Sequence, residues 1–110
     1  MFFYVTGFGK FGNILENPSS IVVRDLPNIL SQQSSEGRPF HLKHSEIVTV
    51  SIEDCDEALE RIYANMHGCK SNAEHHVVIN CGVADGRPGF DLENIGKNLK
   101  DFCIPDERGN

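Results

Sequence analysis

Three short apolar runs are separated by two stretches with helical spacing. The first run, Phe2 to Thr6 (FFYVT), is β-prone and continuous, which predicts a buried first strand. From Ser19, SSIVVRDLPNIL places Ile21, Val22, Asp25 and Leu26 at helical intervals. Ser19 reads as the N-cap, Pro18 holds Asn17 extended, and Pro27 is expected to end or kink the helix. Phe40 to Val50 (FHLKHSEIVTV) alternates like a half-exposed strand. Ser51 followed by Asp54 resembles a capping box. The stretch Glu53 to His67 then gathers Ala58, Leu59, Ile62, Tyr63 and Met66 on one face, with Gly68 as its stop. His76 to Val83 (HVVINCGV) is the strongest strand pattern and is expected to lie centrally in a parallel sheet.

The order strand, helix, strand, helix, strand predicts a layered α/β fold. In such folds binding sites form in loops beyond the carboxyl ends of the strands, which marks Gly7 to Pro18 and Ala84 to Asp91. The polar tract SQQSSEGRP is a loop between elements, not a domain linker, and no repeat or low-complexity tract occurs. The 110 residues allow at most one domain. Their few elements cannot cover both faces of a central parallel strand, so 1–110 reads as part of a larger domain or a short form of one.

Composition narrows the function classes. Net charge is −6 with Lys and Arg scattered, which argues against nucleic acid or an anionic membrane as partner. No run approaches the roughly 20 apolar residues of a membrane span, and MFFYVTG lacks the features of a secretory leader. The expectation is a soluble cytoplasmic protein. Cys55, Cys69, Cys81 and Cys103 contain no C-x-x-C pair, and His41, His44, His67, His75 and His76 are scattered, so reduced thiols and no metal site are expected.

YVTGFGKFGN carries Gly7, Gly9 and Gly12 as G-x-G-x-x-G after a strand. A dinucleotide site would need Gly12 to open a helix and an acidic residue to close the second strand. Here NILENP follows Gly12, Pro18 delays the helix to about Ser19, and Asp25 falls within the helical pattern. Phe8 and Phe11 would also crowd a phosphate. Spaced by three on a Gly-supported loop, they can instead form two walls for a small flat ring, or they can plug the core beneath the loop.

VTGFGKFG…ENPS, Val5 to Ser19, resembles the opening of the pyroglutamyl peptidase I (pyrrolidone-carboxylate peptidase) family: a strand, T-G-F-x-P-F-G, then N-P-S. GVADGRPGFDLENIGKN…IPDERGN, Gly82 to Asn110, is similar to the family's later segment ending I-P-D-x-x-G. The resemblance spans the whole chain but only the first half of a family member. It implies a three-layer α/β/α sandwich of the phosphorylase/hydrolase-like type, incomplete in this chain. The activity implied is that of a cysteine-type omega peptidase removing N-terminal pyroglutamyl residues from peptides, with no cofactor.

By the same resemblance Phe8 and Phe11 line the pocket for the lactam ring, and Glu93 falls on the catalytic glutamate that orients the imidazole of a Cys-His-acid triad. Lys10 replaces the usual Pro, Cys103 stands where many bacterial members carry an Arg, and Val83 where they often have Gln. The family's nucleophilic Cys and its His belong to the second half. No cysteine here sits at a helix start after a site loop, so the chain as it stands is expected to be inactive. The alternative from the residues is a non-catalytic short form that binds pyroglutamyl peptides, or that pairs with a partner subunit or another copy through its uncovered sheet.

Overall fold

The computed structural model of the chain describes residues 1–32, 41–68, 75–84, 86–93, 95–96 and 104–110. The elements run β1 (Phe2–Phe8), α1 (Pro18–Gln32), β2 (His41–Val48), α2 (Ile52–His67) and β3 (His76–Asn80), in the order the apolar pattern predicts. Both strand pairings are parallel and the sheet order is β2-β1-β3. The chain therefore steps one way from β1 to β2, then back across β1 to β3. Right-handed crossovers in opposite directions put α1 and α2 on opposite faces of the sheet, which makes the fold a layered α/β arrangement.

The central strand is β1, and this corrects the expectation for His76–Val83. β3 stops at Asn80 and is an edge strand among the described residues. Flanked on both sides, β1 buries Tyr4, Val5 and Thr6, whereas Ile79 in β3 is exposed. An apolar run reports a capacity for burial but not which neighbours arrive. Side chains also join β1 to β3. The Tyr4 hydroxyl lies 2.9 Å from His76 Nδ1, and Thr6 Oγ1 donates to Asn80 Oδ1 at 2.7 Å.

One further correction concerns α1. Its cap is Asn17, whose Oδ1 accepts from Ser19 N at 3.0 Å; Pro18 is the first helical residue, a position that needs no amide proton. The helix also runs through Pro27 to Gln32, forgoing one internal bond. Its inward face is Ser19, Ser20, Val23 and Leu26, while Ile21 and Val22 face out. The cause lies in β1. A methyl group added at Gly7 would sit 2.6 Å from the Ser19 carbonyl oxygen and 2.8 Å from Val23 Cγ2, so the helix backbone rests directly on the strand and only small residues fit beneath it.

In α2 Ser51 caps the helix as expected, but the reciprocal half of a capping box is not made, because the Ser51 amide donates to the Thr49 carbonyl. Ser51 Oγ accepts from Asp54 N at 3.0 Å and donates to the Asp54 carboxylate. Ala58 and Ile62 are buried and Met66 half-buried, but Leu59 and Tyr63 of the anticipated stripe are exposed. The helix ends at Gly68, which keeps a right-handed φ of −72°. Tyr4, Val5, Val23, Val48, Ala58 and Ile62 form the buried apolar core.

Candidate functional site

Parallel strands send all their carboxyl ends to one edge of the sheet. In the order β2-β1-β3 the connection after β1 runs to one side and the connection after β2 runs back across to the other, so these two loops leave that edge toward opposite faces of the sheet. Phe8 ends β1 there, and Phe11 follows on the loop. Both are half-buried and share two adjoining hollows. The larger, about 320 Å³, is also lined by Val50, Ser51, Ile52, Cys55 and Ile104; the smaller, about 190 Å³, by Ile14, Asn17, Val50, Gly82 and Val83. Both rings line the two hollows and neither is fully enclosed.

The loop bearing these rings is laced at both ends. Phe8 N donates to Ser19 Oγ at 2.9 Å, and Ser19 Oγ donates to Asn17 Oδ1 at 2.7 Å. Asn17 Nδ2 then donates to the Gly9 carbonyl at 3.1 Å. Asn17 and Ser19 are both buried, so the N-P-S stretch fixes the loop to the start of α1. At the far end Phe11 and Ile14 exchange two backbone bonds of 3.0 and 2.9 Å around a turn, where Gly12 adopts φ +55°, a left-handed conformation suited to glycine.

Two further segments complete the walls, and neither was among the two loops expected. The turn after β2 brings Val50 and Ser51, because Val48 lies in register with Phe8. Since every parallel strand ends at this edge, the second strand's loop was available from the βαβ pattern itself. Ile104 arrives from the IPDERGN segment, which sequence alone did not place in space. That segment grips the start of α2. Arg108 Nε and a terminal guanidinium nitrogen donate to the Asp54 carboxylate at 2.8 and 3.0 Å; Asp106 Oδ2 accepts from Ile52 N at 3.2 Å; Asn110 Nδ2 donates to Glu53 at 3.0 Å.

The charges follow from these contacts. The Arg108 guanidinium and the Ser51 hydroxyl hold the Asp54 carboxyl down at about 2. Asp106 is lowered by the Asn110 amide and, against some burial, by the amides of Ile52 and Arg108. Cys55 lies in the first turn of α2 beside the larger hollow, which corrects the expectation that no cysteine occupies a helix start by a site loop. Burial and the neighbouring Asp56 push its thiol up, the reverse of what a nucleophile needs. Cys81 is half-buried just past β3, and its amide donates to the Thr6 carbonyl. Cys69 and Cys103 lie outside the described residues.

Glu93 stands apart from the aromatic pair. It is exposed, accepts from Arg87 at 2.9 Å, and lines neither hollow. Arg87 also holds Asp91 at 3.1 Å. Among the described residues no three His, Cys, Asp or Glu side chains converge to hold a metal ion, and no helix is long and apolar enough to cross a membrane.

A family profile described as pyroglutamyl peptidase matches residues 1–110. The chain belongs to the pyroglutamyl peptidase family. It is 30% identical over 109 residues to the pyrrolidone-carboxylate peptidase of Coprothermobacter proteolyticus, covering 96% of this chain and 44% of that one. It is 32% identical over 107 residues to that of Clostridium botulinum, covering 96% and 43%. The crystal structure of pyrrolidone carboxyl peptidase from Thermus thermophilus superposes with a TM-score of 0.69 at 34% identity, over 100% of this chain and 48% of that one. The chain thus spans less than half the length of these pyroglutamyl peptidase relatives.

Proposed function

We propose that these 110 residues are the ring-recognising portion of a cytoplasmic cysteine-type omega peptidase that removes N-terminal pyroglutamyl residues from peptides. Family membership supports the chemistry; the single structural observation that carries the reading is the pair Phe8 and Phe11 lining an apolar hollow at the carboxyl edge of the sheet. A lactam is a small flat ring with an apolar face and a polar rim, which two aromatic walls on a backbone-rich loop suit.

In the complete reaction a thiolate attacks the pyroglutamyl carbonyl and the peptide amine leaves with a proton from an imidazole; water then hydrolyses the thioester. Glu93 orients that imidazole, for which it must exchange its contact with Arg87. By the family resemblance the nucleophile and base come from outside these residues, and the raised Cys55 thiol is not that of an activated nucleophile. The chain by itself then binds a pyroglutamyl peptide without cleaving it, which is also what the non-catalytic alternative requires.

Release of a fluorophore from a pyroglutamyl-linked reporter, measured alongside calorimetric titration with a pyroglutamyl dipeptide, tests this. The expected result is heat of binding, lost in Phe11→Ala, with no turnover. Absence of binding would remove the ring site, and turnover abolished by Cys55→Ser would restore a local nucleophile.

A further inference from the structure

The IPDERGN segment reaches the aromatic loop as well as α2, and its polar link to that loop is Glu107. Glu107 Oε1 accepts from the Gly12 amide at 3.1 Å, and Oε2 lies 3.9 Å from Lys10 Nζ. Its own backbone is fixed, since Glu107 N donates to the Val50 carbonyl at 2.8 Å. The loop thus hangs between three anchors. Asn17 and Ser19 hold its ends, the Phe11–Ile14 bridge closes its tip, and Glu107 ties that tip to the turn after β2.

Gly12 is the residue immediately after Phe11, so the position of its amide sets where the Phe11 ring enters the hollow. Ile104 packs on the same point: a methyl group on Gly12 would meet Ile104 Cδ1 at 3.4 Å. One short segment therefore supplies both an apolar wall and a carboxylate that grips the opposite wall.

We infer that Glu107 is a positioning residue, whose carboxylate holds the Phe11-bearing turn at the spacing a lactam ring requires. This rests on the proposed ring site. A carboxylate accepting from a backbone amide is stronger than a neutral acceptor, and Lys10 next to it adds charge complementarity. Lys10, one residue before Phe11, is thus part of the same grip: a flexible charged residue in the position of a stiff proline, opposite an acidic partner.

The test compares wild type, Glu107→Ala and Glu107→Gln in the 110-residue chain, with two readouts. The first is hydrogen exchange and chemical shift of the Gly12 amide. Exchange should accelerate by about tenfold in Glu107→Ala, the effect of losing one charge-assisted bond at a part-exposed site, and Glu107→Gln should restore most of the protection. The second is affinity for a pyroglutamyl dipeptide, expected to fall about fivefold in Glu107→Ala and less than twofold in Glu107→Gln.

Unchanged Gly12 exchange in Glu107→Ala, or a Gly12 amide unprotected in wild type, overturns the anchoring. Accelerated exchange with undiminished affinity overturns its link to ring recognition. If wild type shows a protected Gly12 amide but binds no dipeptide, the ring site itself has failed, while the exchange data still decide the anchoring. A general loss of folding is recognised because the Tyr4 and Ile62 amides, on core residues away from the loop, would then accelerate equally.

Discussion

A methyl group at Gly7 has nowhere to go. Gly7→Ala drives Cβ to 2.6 Å from a backbone oxygen of α1, so the helix must lift from the sheet, and Phe8 and Ser19 lose their register. We expect destabilisation of about 2–3 kcal/mol, read as a lowered urea midpoint. A change below about 0.5 kcal/mol would mean α1 sits further out. At this scale the sequence was informative where a residue type has one physical use. Phe8 and Phe11 were readable as a pair because glycines surround them and they lie three apart. Ser19, which pattern alone makes a cap, faces inward instead, and an inward Ser makes sense only once the glycine beneath it is known. Glu93 carries no local signal: its role rests on the family motif, and its visible partner is Arg87.

Helix starts show what local pattern can and cannot assign. Ser51 has no competitor and caps α2, with the Asp54 carboxylate bonded to its hydroxyl instead of its amide. Before α1, Asn17 and Ser19 both suit a cap, and Pro18 decides between them by taking the first helical position. The start of α2 also predicts acid sensitivity. The folded-state pKa values of Asp54 and Asp106 are depressed, by Arg108 and by the Asn110 amide respectively. Glu46 is lowered too: burial pushes it up, but its bonds from Arg61 and His44 outweigh that. The unfolded chain therefore binds these protons more readily, and stability rises with pH through this range. The contribution is complete above about pH 5 and is lost as pH falls toward 2. Urea midpoints should be flat from about pH 7 to 5 and decline below, less steeply in Asp54→Asn. A profile identical in that variant would show that Arg108 does not hold Asp54 in solution.

The molecule has more apolar surface than its core can use. Tyr4 and Ile62 are the large side chains fully enclosed, whereas Ile21, Val22, Ile29, Leu30, Leu59 and Tyr63 on the helices are exposed. We expect a chain that binds hydrophobic dyes, associates as concentration rises and melts over a broad range. A sharp, cooperative transition in a monomer would contradict this. Here the order of elements was legible while the order of strands was not, because periodicity reports what each segment can bury and says nothing about its neighbours. That order has a kinetic consequence. β1 is made before β2 and β3 yet sits between them in the sheet, and its pairing with β3 links Phe2 to His76. One edge of β1 can pair once β2 is made, but the other must stay open until β3 comes within reach, so folding waits on a distant contact. During that interval Phe2–Phe8 is the stretch that a chaperone, or a neighbouring nascent copy, would meet first.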